Sequence, residues 1–270
     1  MSDTLFQLIS YLGELLLLTL GTVMLCGLAV HLCAKLFARL IGSRSAKIFD
    51  LTAAIGTPVH ELGHAVMCLL FGHKITRIKL WSPTASNGVY GFVEHSYNRK
   101  NPWAKLGNLF IGIGPIFSGL CVVILMLWLC FPTQWSNYLH TTRATLFGGA
   151  GVRELAACVV SLLASTPSAI AATPWRALLG LVIILPVSLH ITLSWQDVKS
   201  SMSAMPMYLL MLTVFALITA LLGAAANVTS ALRLCNLHLL ALFCVVIAFC
   251  AVWVLLALLY RLIRVIASWF

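Results

Sequence analysis

The stretch LTAAIGTPVHELGHAVMCLLF, from Leu51 to Phe71, carries a His-Glu-x-x-His motif inside an apolar run. A helix of about 20 such residues is long enough to cross the hydrocarbon core of a bilayer. Because residues four apart share one face of a helix, His60 and His64 can bind the same metal ion. Glu61 lies beside them and can take a proton from a water molecule. The stretch therefore predicts a metal-dependent hydrolytic site at the depth of a membrane, with Glu61 as the catalytic base; the alternative is a purely structural polar cluster.

The composition is that of a membrane protein without a large soluble domain. Of the 270 residues, 61% are hydrophobic and 9% are charged, and the mean hydropathy is +1.01. These values are typical of an all-α polytopic membrane protein. The net charge of +10 is spread over loops and span ends, which indicates contact with the lipid bilayer surface and no nucleic-acid binding. The nine cysteines include no Cys-x-x-Cys pair, so neither a zinc knuckle nor a disulfide framework is predicted.

About six apolar segments are long enough to form transmembrane helices. They lie near residues 13–36, 51–72, 106–131, 175–195, 206–226 and 237–260. A seventh segment, 145–172, contains charged residues and prolines, and we interpret it as re-entrant or interfacial. The spans divide the chain into an N-terminal helix with a basic loop (1–50), a membrane core (51–200) and a C-terminal helix pair (201–270). The N-terminus does not resemble a cleaved signal peptide, and we expect a multi-pass protein of a bacterial inner membrane.

A β-hairpin is predicted at about residues 74–97, directly after the motif helix. The runs 74–81 and 88–93 are short and rich in β-branched and aromatic residues, and Asn87-Gly88 is a turn signal between them. The hairpin is either an ordinary surface element or an edge strand that pairs with an extended substrate. In the second interpretation the substrate-binding residues are Val89, Tyr90, Gly91, Phe92 and Val93.

A zinc site with two histidines needs a third protein ligand. Elimination of the other acidic residues by position leaves Asp197, which lies at the end of the fourth predicted span. Asp197 is either this ligand or a helix-end charge that pairs with Lys199 or with solvent. His190 is the alternative ligand, because it precedes Asp197 by about two helical turns and both side chains can face the same side. In that position His190 can also hydrogen-bond a ligand or stabilise an oxyanion.

The pattern resembles the site-2 protease family of intramembrane zinc metalloproteases. The resemblance covers about residues 50–200. It rests on the motif within a span, the hairpin after it, the run Gly114-Pro115-Ile116-Phe117-Ser118 in the next span, and the later Asp197. It implies that the two motif histidines and Asp197 bind Zn²⁺, with the motif glutamate as general base. It also implies that a substrate helix is unwound and held as a strand against the hairpin.

The chain departs from the family pattern at two places and is identified as a divergent member. Ser118 stands where the family usually has an asparagine that supports the oxyanion, so Ser118 is the corresponding candidate here. Asp197 follows Ser194-Trp-Gln, whereas the family usually has Asn-x-x-Pro-x-x-Leu-Asp-Gly around this aspartate.

The resulting hypothesis is a zinc endopeptidase that cleaves transmembrane or membrane-proximal segments of membrane protein substrates. One alternative is a membrane zinc hydrolase of a lipid-linked or small amphiphilic substrate. Another is a non-catalytic membrane protein that binds partners or transports ions. Glu61 distinguishes these classes, because a hydrolase requires its carboxylate whereas a scaffold or carrier tolerates glutamine.

Overall fold

The computed structural model describes residues 2–42, 45–83, 89–148 and 152–269. Within these ranges the chain forms ten α-helices, one π-helical turn and one two-stranded sheet. In chain order the elements are α1 (Ser2–Leu16), the π-helical turn (Leu17–Gly21), α2 (Thr22–Ile41), α3 (Ser45–Leu70), β1 (Lys74–Lys79), β2 (Phe92–Ser96), α4 (Pro102–Cys130), α5 (Pro132–Gly148), α6 (Val152–Ala164), α7 (Thr166–Ala172), α8 (Pro174–His190), α9 (Trp195–Leu221) and α10 (Ala225–Ala267).

Five helical stretches in the described ranges are long and apolar enough to cross a membrane. They are Leu5–Ile41, Pro102–Cys130, Val152–Ala172, Trp195–Leu221 and Ala225–Ala267. These helices and the small sheet agree with the predicted all-α membrane protein with one hairpin. The predicted number of six spans is not confirmed.

Three predicted segments account for the difference in span number. Segment 51–72 lies mostly in α3 (Ser45–Leu70), whose hydropathy is reduced by the three polar side chains of the motif. Segment 175–195 overlaps α8 (Pro174–His190), whose 17 residues are too few for it to be counted among the stretches of spanning length. Segment 145–172 was interpreted as re-entrant or interfacial, yet its helical part is among the five stretches of spanning length and composition.

Helix α4 forms the centre of the packing. It begins at Pro102, and the side chain of Asn101 accepts hydrogen bonds from the backbone N–H groups of the first turn. Helix α3 packs against it so closely that a Cβ built at Gly63 would lie 2.6 Å from the carbonyl oxygen of Gly114. Glycine at both positions therefore lets the backbones approach within the motif itself. This contact anchors the motif helix to the best-buried helix of the molecule.

A short non-helical segment separates α8 from α9. Residues 191–194 are not helical, and α9 begins at Trp195. Ser194 accepts a hydrogen bond from the N–H of Asp197, and the Asp197 carboxylate accepts one from the N–H of Ser194, which forms a capping box. Asp197 thus belongs to the first turn of α9. The prediction that it continues the helix of His190 was wrong, because this cap starts a new helix between the two residues.

The predicted β-hairpin is present directly after α3. Gly72, with a φ of 69°, ends the helix, and β1 then pairs with β2 in an antiparallel register that joins Lys74 to Ser96 and Lys79 to Phe92. The Asn87-Gly88 turn lies outside the described residues. Arg77 and Glu94 form an exposed ion pair across the two strands, with 3.3 Å between nitrogen and oxygen. The hairpin therefore extends from the C-terminal end of the motif helix.

Candidate metal centre

Three predicted ligands come together where α3 meets the start of α9. The Nε2 atoms of His60 and His64 lie 3.2 Å apart. Oδ1 of Asp197 lies 3.2 Å from Nε2 of His64, and its Oδ2 lies 3.8 Å from Nε2 of His60. All three ligand atoms lie within 4.8 Å of one another, so the group could hold a metal ion. The helical spacing of the histidines and the cap of α9 together produce this convergence.

The hydrogen bonds on the far side of both imidazoles show that the site suits a cation. Nδ1 of His60 lies 2.9 Å from the carbonyl oxygen of His190, and Nδ1 of His64 lies 2.7 Å from that of Ile111. A carbonyl oxygen only accepts, so each Nδ1 carries the hydrogen and each neutral ring directs an Nε2 lone pair inward. Two lone pairs and a carboxylate at these distances repel one another unless a proton or a metal cation lies between them. The donor set therefore fits a metal ion.

Asp197 is positioned by its own cap and by a close helix contact. The N–H of Ser194 donates to Asp197 Oδ2 at 2.7 Å, which orients the carboxylate toward the histidines. Helix α9 approaches α4 at Gly112, where an added Cβ would lie 2.6 Å from the carbonyl oxygen of Asp197. Ser201, one turn further along, donates to the carbonyl oxygen of Leu109 at 3.2 Å. A larger residue at 112 would displace the first turn of α9 and with it the carboxylate.

His190 does not join the three ligands. Its ring lies 3.1 Å from the hydroxyl of Thr52, measured from Nε2 to Oγ1, although His190 is among the residues that line the same cavity as the ligands. Its backbone carbonyl, however, accepts the hydrogen bond from His60. The sequence predicted a role for the side chain of His190, whereas the hydrogen bond to His60 comes from its main chain.

Ser118 lies between α3 and α4 and is not among the residues that line the site cavity in the described part of the chain. Its hydroxyl donates to the carbonyl oxygen of Val59 at 2.8 Å, one residue before His60, and lies 3.1 Å from that of Pro115. Its hydrogen is thus engaged in joining the two helices at the motif.

The ligands and Glu61 line a cavity of about 670 Å³. Glu61 is 7% exposed. The cavity wall also contains the segment proposed to bind substrate, namely Val89, Tyr90, Gly91, Phe92 and Val93. Hence the structure brings the predicted base, the predicted ligands and the predicted substrate-binding strand to one cavity.

The segment before β2 lies directly against the predicted base. A Cβ built at Gly91 would lie 2.8 Å from Cγ of Glu61 and 2.8 Å from the carbonyl oxygens of Lys79 and Leu80. Next to it, the hydroxyl of Tyr90 donates to Asp50 at 2.5 Å. Burial and the Asp50 carboxylate raise the pKa of Tyr90 to about 12, so the phenol keeps the proton that it donates. Only glycine fits between Glu61 and the hairpin.

His95 also lines the cavity, although the motif search did not select it. It has no metal-like spacing to another histidine in the sequence. The available signal was the alternation of β2, because Val93 and His95 share one face of that strand. Its neighbour across the hairpin, His73, is 4% exposed and contacts it directly.

Comparison with known protein families, curated proteins and solved structures found no match for this chain.

Proposed function

We propose that this protein is an intramembrane zinc endopeptidase with His60, His64 and Asp197 as metal ligands and Glu61 as the general base. The observation that carries the proposal is the convergence of these four side chains on one cavity whose wall also includes residues of β2 and of the segment before it. The helices of spanning length support an integral membrane location. A bacterial inner membrane is part of the proposal.

The donor set supports zinc in a catalytic setting. Two imidazole nitrogens and one carboxylate oxygen are typical zinc ligands, and three protein ligands leave a fourth position open. Zinc bound there would supply an acidified water and polarise the carbonyl of a substrate. The two backbone carbonyls that bind the histidine Nδ1 atoms hold both rings in the tautomer that ligation requires.

Glu61 supplies the proton transfers in this mechanism. It follows His60 directly in α3 and lines the cavity beside both histidines. Its carboxylate would accept the proton of the attacking water and return it to the departing amine. Gly91, packed against Cγ of Glu61, restricts the carboxylate to the side of the cavity.

The hairpin supports a peptide as the substrate. In the described part of the chain, β2 pairs only with β1, so its other edge retains unpaired N–H and C=O groups. The residues of β2 and of the segment before it line the cavity next to Glu61. A peptide added to that edge would be held extended, with its carbonyls released from helical hydrogen bonds. Neither a lipid nor a small amphiphile needs such an edge.

The test combines metal content with cleavage. Wild-type protein, Glu61→Gln and Asp197→Ala would be purified under metal-replete conditions, and bound zinc would be measured by mass spectrometry. Each would then be reconstituted in liposomes with a panel of single-span substrates. Glu94→Gln is the matched control, because Glu94 is an exposed hairpin carboxylate paired with Arg77.

We expect about one zinc per chain in the wild type, in Glu61→Gln and in Glu94→Gln, but not in Asp197→Ala. Cleavage is expected only from the wild type and Glu94→Gln. Absence of zinc from the wild type would contradict the proposed centre. Bound zinc without cleavage of any peptide would instead favour a non-peptide substrate or a non-catalytic role.

A further inference from the structure

A second pair of histidines connects the cavity wall to the start of α4. Nδ1 of His73 lies 2.9 Å from Nδ1 of His95, and Nε2 of His73 lies 2.6 Å from the carbonyl oxygen of Ala104. The ring of His73 is also stacked on Tyr97, with 4.6 Å between centroids. His73 is buried at the base of the hairpin, whereas His95 lines the cavity. None of these side chains is a metal ligand in the proposed centre.

The carbonyl of Ala104 determines which nitrogens carry hydrogen. Because that oxygen only accepts, Nε2 of His73 must donate to it. In the tautomer of His73 that carries its hydrogen on Nε2, Nδ1 is an acceptor. The hydrogen between the two rings therefore belongs to Nδ1 of His95. Nε2 of His95 is left with a lone pair and has no hydrogen-bond partner among the described residues.

His95 retains this lone pair at neutral pH. Burial, followed by the charges of His73 and His64, lowers the pKa of His95. The ring that faces the cavity is therefore an acceptor whose orientation is set by His73. His73 acts as a positioning residue, since its hydrogen bond selects one of the two neutral tautomers of His95.

The position of His95 along β2 relates it to the scissile bond. Gly91 lies against Glu61 immediately before β2, and His95 follows four residues later within the strand. At about 3.3 Å per residue the separation along the strand is about 13 Å. A substrate strand beside β2, with its scissile bond at Glu61, would place a side chain about four residues from that bond opposite His95.

We infer that Nε2 of His95 binds a hydroxyl or amide donor on a substrate side chain about four residues from the scissile bond. The inference rests on the proposed endopeptidase function and adds a specificity determinant to it. An apolar side chain at this position would leave Nε2 unpaired once the bound substrate displaces water, which costs free energy that a donor avoids. In an otherwise apolar segment, one such donor would mark where the chain is cut.

Peptide pairs that differ only by Thr or Val test this inference, because the two side chains have nearly the same shape. In separate peptide pairs, the Thr or Val residue would be placed three, four or five residues from the scissile bond, on either side of it. Cleavage by the wild type, His95→Phe, His95→Gln and Glu94→Gln would be compared as kcat/KM. Glu94→Gln is the control on the opposite face of the same strand, and the amide oxygen of His95→Gln retains an acceptor.

We expect the wild type to prefer Thr over Val about tenfold at one position. Glu94→Gln should keep this ratio and His95→Gln should keep part of it. His95→Phe should abolish it while still cleaving the Val peptide. A ratio near one at all positions in the wild type, or a ratio that survives in His95→Phe, would overturn the inference and leave the endopeptidase function standing. No cleavage of any peptide by the wild type would overturn the proposed function and this inference with it.

A measurement on the wild type tests the inference even where a variant fails to fold. Nitrogen NMR of ¹⁵N-histidine protein would give the tautomer of His95, with His95→Gln used for assignment. The hydrogen is expected on Nδ1 and the lone pair on Nε2. A hydrogen on Nε2 would contradict the inference regardless of any activity.

Discussion

Nδ1 of His60 donates a hydrogen bond to the backbone carbonyl oxygen of His190, 2.9 Å away. This single contact links the end of α8 to the motif on α3 and orients the His60 ring toward His64 and Asp197. The side chain of His190 points instead toward Thr52. A residue that looks like a ligand in the sequence therefore serves the site through its main chain.

Replacement of His190 should have a much smaller effect on metal binding than replacement of Asp197. In His190→Ala the carbonyl remains, so we expect zinc affinity to fall by less than about tenfold. In Asp197→Ala a ligand is lost, and affinity should fall more than about 100-fold. Competition with a chromophoric chelator measures both values. Equal losses in the two variants would indicate that the His190 ring is itself a ligand.

Gly63→Ala should destabilise the protein although it adds one methyl group. The new Cβ would lie 2.6 Å from the carbonyl oxygen of Gly114 and 2.5 Å from Oγ of Ser118, so the helices must separate. The expected loss is about 1–3 kcal/mol in the free energy of unfolding, measured by denaturant titration in mixed micelles. Leu62→Ala is the neighbouring control, because Leu62 is 51% exposed. A larger loss in the control would argue against the close contact of α3 and α4.

Tyr90→Phe should loosen the segment that covers Glu61. Loss of the hydrogen bond to Asp50 is expected to raise hydrogen exchange of the segment about two- to fivefold. Val89→Ala, at an exposed neighbour, tests whether any change in this segment has the same effect. Unchanged exchange in Tyr90→Phe would show that Gly91 is held without this contact.

The same hydrogen bond predicts a pH dependence. The pKa of Tyr90 is raised from 10.0 to about 12. The stabilisation of the folded state by the Tyr90–Asp50 hydrogen bond is therefore fully present below pH 10. It should be lost between about pH 10 and 12 as the phenol ionises. The difference between the ultraviolet titration curves of the wild type and Tyr90→Phe reports the ionisation of this phenol alone. Ionisation with a midpoint near 10 would contradict the contact.

Removal of the metal should lower thermal stability. The three facing acceptors, Nε2 of both histidines and the Asp197 carboxylate, repel one another without a cation. Zinc at 100 times its Kd should stabilise the folded state by about 2.7 kcal/mol. A chelator should therefore reduce Tm in the wild type and equally in Glu61→Gln, whereas Asp197→Ala should respond little. An identical response in Asp197→Ala would place the stabilising ion elsewhere.

Local patterns in the sequence were enough to predict the features that depend on residues close together along the chain. The four-residue spacing predicts that His60 and His64 share a helix face, and two short runs around a turn signal predict the hairpin. Elimination among few acidic residues selected Asp197, which lies beside both histidines in the structure. Apolar length predicts membrane helices but not their number, because the polar motif lowers the hydropathy of α3 and α8 ends at His190 after only 17 residues.

Only the tertiary structure decided the contacts that depend on which elements lie side by side. The roles of the His190 carbonyl and the Ser118 hydroxyl follow from the packing of α3 against α8 and α4. The approach of Gly91 to Glu61 and the tautomer of His95, set through His73 by the carbonyl of Ala104, depend on how the hairpin folds back onto the helices. These contacts join residues distant in sequence through backbone atoms, which every residue type carries, so residue identity alone leaves no signal of them.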